Sequence, residues 1–274
     1  MISAGYAGPR EVSYLFIDGA YLDQIIETFS NEYFGGLNFR INPDAIARGF
    51  TKTFYYNCLP VQWAGETDEA FGVRLEEKRS RFEKLQQARG WHVQEGIVKR
   101  KGKRLTQKEV DVLITVDILT HAYRRNMHSM TFIAGDQDFR PLLEALIRDG
   151  MFVTLLSERT SVSRDLLHMA DEFRKIDLYM AFDWLERNID DGIILPERSY
   201  NFPRLTNPGA RVEYGTTELN ENVTIFKNDK SYLAITEDLR SKTHRHELVH
   251  DNLRLLKAVH ANEFGAVVWE NLTK

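Results

Sequence analysis

Thr131-Phe132-Ile133-Ala134-Gly135-Asp136-Gln137-Asp138-Phe139 is the stretch on which the reading of this chain turns. Its first four residues are apolar or β-branched, as a strand requires, and Gly135 permits a sharp exit. Asp136 and Asp138 then stand one residue apart where a strand hands over to a helix. The run Tyr14-Leu15-Phe16-Ile17 ends in the same way, in Asp18-Gly19. Apolar runs without alternation mark strands buried on both faces, as in a parallel sheet. Carboxylates at the carboxyl ends of such strands meet in the crevice where open α/β sheets place their sites. A further acid, Asp111, lies at the start of a helical segment over residues 110–125, with Asp117 about 120° further around it.

Working outward, strands and amphipathic helices alternate. Strands are expected at 13–18, 52–58, 91–98, 130–134, 151–157 and 173–177, and helices at 20–30, 67–89, 110–125, 139–148, 163–169 and 181–187. In the second helix Phe71, Leu75, Phe82 and Leu85 form an apolar stripe. The alternation implies an α/β domain with a mainly parallel sheet covered on both faces, ending near residue 188. Residues 189–210 hold Pro196, Pro203 and Pro208 and suit a linker. Residues 211–274 are expected to form a small α+β region with short strands around the turn 227–230 and a helix over 246–260.

The 274 residues are 43% hydrophobic and 28% charged, with a formal charge of −4. That is the profile of an ordinary globular protein, not one that binds nucleic acid by bulk attraction. No apolar run reaches the roughly 20 residues of a membrane span. The first ten residues lack the basic start and apolar core of a secretory signal. Cys58 is the single cysteine, so intrachain disulfides and multi-cysteine metal sites are excluded. A cytoplasmic location without membrane association is the economical expectation.

Unpaired carboxylates gathered in one crevice repel one another, and a divalent cation relieves that repulsion. Mg²⁺ and Mn²⁺ prefer carboxylate and water oxygens, and they suit phosphodiester hydrolysis. Asp18, Asp111, Asp136 and Asp138 are therefore the candidate catalytic and metal-holding residues, with Asp117 a further metal candidate. Each also has a plainer role available, because Asp is a favoured helix cap. Just before Asp111, Lys99, Arg100, Lys101, Lys103, Arg104 and Lys108 form a dense basic stretch. It reads either as a phosphate-contacting loop or as a solvated turn with Gly102 at its tip.

The segments Phe16-Ile17-Asp18-Gly19-Ala20, Lys108-Glu109-Val110-Asp111-Val112 with Asp117 following, and Gly135-Asp136-Gln137-Asp138-Phe139 resemble the motifs of the NYN-domain family of PIN-like ribonucleases. The resemblance spans roughly residues 12–187. It implies a three-layer PIN-like α/β fold and an endoribonuclease dependent on Mg²⁺ or Mn²⁺, with Asp18, Asp111, Asp136 and Asp138 at the family's acidic positions and Asp117 at a further one. The chain departs from the family pattern at Tyr21, where Asn is common, and at Ala134-Gly135, where a Ser is common. Single-stranded RNA is the expected partner, with single-stranded DNA and a non-cleaving nucleic-acid-binding module left open. Tyr21 and Tyr56 are candidates to stack a base, packing being the alternative. The C-terminal region would select substrate or drive homo-oligomerisation.

His246-Glu247-Leu248-Val249-His250 offers a competing motif. On a helix it would be the zinc pattern of a metallopeptidase, with Glu247 as general base and His260 or Glu263 as a third ligand. A surface segment with incidental histidines is the plainer expectation.

Overall fold

The computed structural model describes residues 12–96, 99–101, 104–106, 108–158, 162, 164–186, 193–200, 209–237 and 245–270. Two compact units emerge: residues 1–26 with 40–176, and residues 27–39 with 177–274.

The first unit contains β1 (Ser13–Asp18), the start of α1 (Gly19–Tyr33), α2 (Pro43–Ile46), β2 (Lys52–Cys58), α3 (Asp68–Gln87) and β3 (Trp91–Gly96). A hairpin of β4 (Lys99–Lys101) and β5 (Arg104–Thr106) leads into α4 (Lys108–Tyr123). Then come β6 (Ser129–Ile133), α5 (Arg140–Arg148), β7 (Phe152–Ser157), α6 (Arg164–Leu167) and β8 (Glu172–Lys175). The six-stranded sheet runs β3-β2-β1-β6-β7-β8, and every pair is parallel. From β1 the chain builds outward through β2 and β3, then returns to β6 and builds the other way. The order therefore reverses between β1 and β6, and that reversal point is where open α/β sheets form their crevice.

Alternation along the strands divides the side chains between two faces. On one face Tyr14, Phe16, Phe54, Tyr56 and Phe132 are buried beneath the α4 stripe Val110, Ile114, Ile118 and Ala122. The i,i+4 spacing of that stripe fixes which side of α4 meets the sheet. Phe16 and Phe54 stack there with ring centroids 4.9 Å apart. On the other face Tyr55 meets α3 through Phe82, ring centroids 6.0 Å apart, and meets α1 at Gly19, where a Cβ would fall 2.5 Å from the Tyr55 ring. Helix, sheet and helix thus form three layers. Of the stripe expected on α3, only Phe82 and Leu85 are buried. A 20-residue helix is about 30 Å long, whereas a strand of seven residues spans about 23 Å, so α3 outruns the sheet and its first turns stay half-exposed.

The second unit contains the rest of α1, α7 (Leu178–Asp183), β9 (Glu197–Tyr200), β10 (Ala210–Thr217), β11 (Asn222–Lys227), β12 (Tyr232–Glu237), β13 (Arg245–His250), α8 (Leu253–Phe264) and β14 (Val267–Glu270). Its sheet runs β14-β10-β11-β12-β13-β9 and is antiparallel throughout. Two expectations are corrected here. The 189–210 segment contributes β9, which pairs with β13; Arg198 of β9 pairs with Asp177 and Glu263 at 3.3 and 3.1 Å and lies over the Tyr179 ring. The helix expected over 246–260 begins only at Leu253, where Asn252 caps it by accepting from the Leu255 N–H.

Candidate active site

Asp18 is the last residue of β1. Its Oδ1 accepts the backbone N–H groups of Ala20 and Tyr21 at 3.0 and 3.2 Å, so it caps α1. Asp136 follows β6, and its Oδ1 accepts the Asp138 N–H at 2.9 Å, capping the short turn 137–139 that feeds α5. The cap roles open to aspartates at helix starts are thus occupied by Asp18 and Asp136, yet these bonds use Oδ1 only. Asp111 does not cap α4, because the helix already starts at Lys108; it sits in the first turn and faces solvent. Asp138 lies in the capped turn, also exposed.

The charges of these residues act on one another. Burial raises the Asp18 carboxyl to about 6; the two capping N–H groups oppose the rise, and the negative charges of Asp111 and Asp136 add to it. Asp111 is raised as well, by the surrounding protein first and then by Asp136 and Asp138. It reaches solvent on one side, so protein bulk on the other accounts for the desolvation. Asp117 has a partner of its own. Its Oδ2 accepts the Tyr56 hydroxyl at 3.0 Å, and it lies about 9 Å further along α4 than Asp111. Among the described residues no three His, Cys, Asp or Glu side chains stand close enough as placed to close a shell around one ion. The acids of the crevice are electrostatic neighbours.

Two arrangements that sequence reasoning missed hold this site. Tyr21, at the family's variable position, lies over Gly135, where any Cβ would be driven into its ring. Its hydroxyl accepts the Glu158 N–H at 3.1 Å, so one side chain ties α1 to the exits of β6 and β7. Tyr21 and Tyr56 are both buried, which removes them as base-stacking candidates. The second arrangement surrounds Asp23 of α1. Lys78 and Arg81 of α3 approach it at 2.5 and 2.6 Å, and Asn57 donates to it at 3.0 Å. The Arg81 contact is a close ion pair without hydrogen-bond alignment. Burial lowers the Lys78 amine, and the Asp23 charge opposes that shift. The i,i+3 spacing of Lys78 and Arg81 was the available sequence signal; their partner was not readable.

The basic stretch forms the β4–β5 hairpin, in which Lys99 pairs with Thr106, Arg100 with Leu105 and Lys101 with Arg104. Lys103 and the side chains of Lys99, Arg100, Lys101, Arg104 and Lys108 lie outside the described residues.

The zinc-helix reading is overturned. His246 to His250 is strand β13, not helix. Four residues along a strand separate the two histidines by about 13 Å, and Glu247 points to the opposite face. His246 packs against Phe264, and His250 Nε2 bonds the Ile194 carbonyl at 2.9 Å. His260 sits buried beside Thr236, its imidazole lowered to about 4 by burial, and Glu263 is engaged by Arg198.

A doubly wound parallel sheet with acids at its reversal point defines the class of PIN-like nucleases implied by the motifs. The NYN-domain family model matches residues 14–177, and the chain belongs to that family, which gives it a nuclease-type, ribonuclease function at the coarse level. No curated protein matches the sequence. A protein of unknown function from Vibrio parahaemolyticus is similar in structure over 65% of this chain and 97% of its own, with 20% identity and a TM-score of 0.45. Polyphosphate kinase from Porphyromonas gingivalis aligns over 85% of this chain and 46% of its own, with 9% identity and a TM-score of 0.16. Neither likeness carries functional weight. Among the described residues no helix is long and apolar enough to cross a membrane.

Proposed function

We propose that the chain is a ribonuclease dependent on Mg²⁺ or Mn²⁺ that hydrolyses single-stranded RNA in the crevice between β1 and β6. The observation that carries this reading is the placement of Asp18 and Asp136 where the paired strands β1 and β6 end, near enough to each other and to Asp111 for their charges to add to the rise of the Asp18 carboxyl. The donor set fits such an ion: every group is a hard carboxylate oxygen, and Asp18 and Asp136 each use only Oδ1 in their caps. When bound, the ion would supply charge relief at the phosphate and a more acidic water.

The remaining work belongs to the chain. Asp18 and Asp136, each held through Oδ1 by its own cap, would offer Oδ2 to the ion where β1 and β6 end. Asp111 and Asp138, on exposed first turns, complete the negative pole that selects a divalent cation. Lys99, Arg100, Lys101, Lys103, Arg104 and Lys108 carry the positive charge that would hold the RNA backbone beside it. Labelled single-stranded RNA incubated with Mn²⁺ tests the reading. Wild type should cut, EDTA should stop it, and Asp136→Asn should be inactive; a variant as active as wild type would refute the site.

A further inference from the structure

Trp63 lies in the loop that leaves β2, in Pro60-Val61-Gln62-Trp63-Ala64-Gly65-Glu66, and 61% of it is exposed. Trp91 and Trp184, by contrast, are 5% and 7% exposed. Leaving a large aromatic ring in water forgoes a sizeable hydrophobic gain, so its retention there calls for a reason. The ring is also not loose. The Arg74 guanidinium of α3 lies 3.9 Å from its centroid, and Phe71 flanks the same guanidinium at 6.0 Å.

Arg74 is itself pinned. Its Nε and Nη2 each donate to the Glu66 carboxylate at 2.7 Å, and Nη2 also donates to the Val61 carbonyl at 3.2 Å. Glu66 Oε2 accepts the Trp63 N–H at 3.0 Å, and Glu66 N–H bonds the Trp63 carbonyl at 3.2 Å. Gln62 donates to the Glu66 carbonyl and to Asp68 at 3.2 and 2.8 Å. The loop is thus a closed clasp that holds one face of the indole against a cation and leaves the other face open. An aromatic plane ordered in advance loses little conformational entropy when a flat ligand stacks on it.

The position of the clasp gives it meaning. β2 is the hydrogen-bonded neighbour of β1, and Tyr56 stands level with Asp18. The chain beyond Cys58 therefore emerges at the sheet end that carries the carboxylates. Trp63 is five residues further, at most about 17 Å of extended chain from that strand end. A strand of RNA in the crevice would reach it within a few nucleotides.

We infer that Trp63, backed by Arg74, is a nucleobase-stacking subsite for single-stranded RNA next to the cleavage crevice. The inference rests on the reading of that crevice as a ribonuclease site. It supplies what Tyr21 and Tyr56 cannot, an accessible aromatic plane, and stacking of this kind tolerates any base.

The test is binding of single-stranded RNA oligonucleotides by the full chain in EDTA at fixed salt, which separates binding from cutting. RNA should quench the wild-type tryptophan fluorescence, and Trp63→Phe should remove that quench. Trp63→Ala should weaken binding roughly 5- to 140-fold, with unchanged far-UV circular dichroism. Trp63→Phe should retain most of the affinity. One abasic nucleotide at a single position should reproduce the loss in wild type and add nothing in Trp63→Ala. Equal RNA affinity for Trp63→Ala and wild type, with only a lowered Tm, would make the clasp a loop staple and overturn the subsite. If wild type cleaves with Mn²⁺ while binding ignores Trp63, the subsite falls and the nuclease stands. Trp63-dependent binding without any cleavage would do the opposite, keeping the subsite and removing the nuclease.

Discussion

The two sheets of this protein use strand-borne polar residues in opposite ways. In the parallel sheet of the first unit, β1 and β6 run apolar to their carboxyl ends and deliver acids only where the backbone leaves the sheet, at Asp18 and Asp136. In the antiparallel sheet of the second unit, β13 alternates, so His246, Leu248 and His250 share one face while Glu247 and Val249 take the other. A polar residue where a parallel strand ends can cap the next helix or turn with one carboxylate oxygen and keep the other for chemistry. One inside an alternating strand is already committed to a face and a register. The Asp18 and Asp136 positions therefore read as a site, whereas the His246 and His250 pair reads as strand.

The widest gap between the two regions should appear in catalysis. Asp18→Asn is expected to lower RNA cleavage by at least 100-fold, since even groups that merely support a metal ligand cost about 10- to 100-fold. His250→Ala is expected to cut at the wild-type rate, and protein purified without added metal should hold no stoichiometric zinc. Parallel single-turnover assays of both variants measure the contrast. A His250→Ala protein as inactive as Asp18→Asn would erase it.

Stability should move the other way. The Asp18 carboxyl sits at about 6 in the folded chain against an ordinary 3.8. Between those values the folded state holds a proton the unfolded state has released, so stability falls as pH rises through that window. Above about pH 6 the charged carboxylate costs on the order of 3 kcal/mol, from (6 − 3.8) × 1.36. Asn caps a helix nearly as well as Asp, so Asp18→Asn should melt higher than wild type at neutral pH in EDTA and lose this slope. Mn²⁺ should raise the Tm of wild type far more than that of the variant, because only the former binds it well. Melting curves from pH 4 to 7, with and without Mn²⁺, give both answers.

Much of the first unit was legible because its strands are buried on both faces and carry their signal locally. Ser13–Asp18 and Lys52–Cys58 are found at the bounds their sequence predicts. Asp18, Asp111, Asp136 and Asp138 could be singled out for the same reason: each follows an apolar run or opens a helix. What could not be read depends on contacts between distant residues. Tyr21 over Gly135 joins positions 114 residues apart, and no local pattern announces it. The Asp23 cluster and the Trp63 clasp likewise close only in three dimensions. For β13 the local pattern was ambiguous, since histidines four apart share a face in a helix and in a strand alike. Pairing with β12 and β9 decided it.

The Tyr21 contact can be broken directly. Gly135→Ala forces a methyl group into the ring, and overpacking of this kind costs about 1–3 kcal/mol. It should also displace Asp136, the next residue, and reduce cleavage. In a Tyr21→Leu background the same substitution should cost less, because the obstructing ring is gone. The coupling is read from denaturant unfolding of the four proteins; additive penalties would show that Tyr21 is not what requires glycine at 135.

The smallest effect concerns Asp117, the acid held by a tyrosine of β2. Its Oδ2 is engaged by the Tyr56 hydroxyl, which burial and the Asp117 charge together hold in its protonated, donating form. Tyr56→Phe deletes one hydrogen bond to a charged group and should cost about 1.5–3 kcal/mol or less, Asp117 being only partly buried. Cleavage by Tyr56→Phe should stay within about twofold of wild type, a limit far below the 10- to 100-fold effect of disturbing a metal ligand's support. If cleavage instead collapsed while the melting temperature barely moved, Asp117 would belong with Asp18 and Asp136. The boundary drawn between the catalytic crevice and the packed face of α4 would then have to shift by about 1.7 turns of that helix.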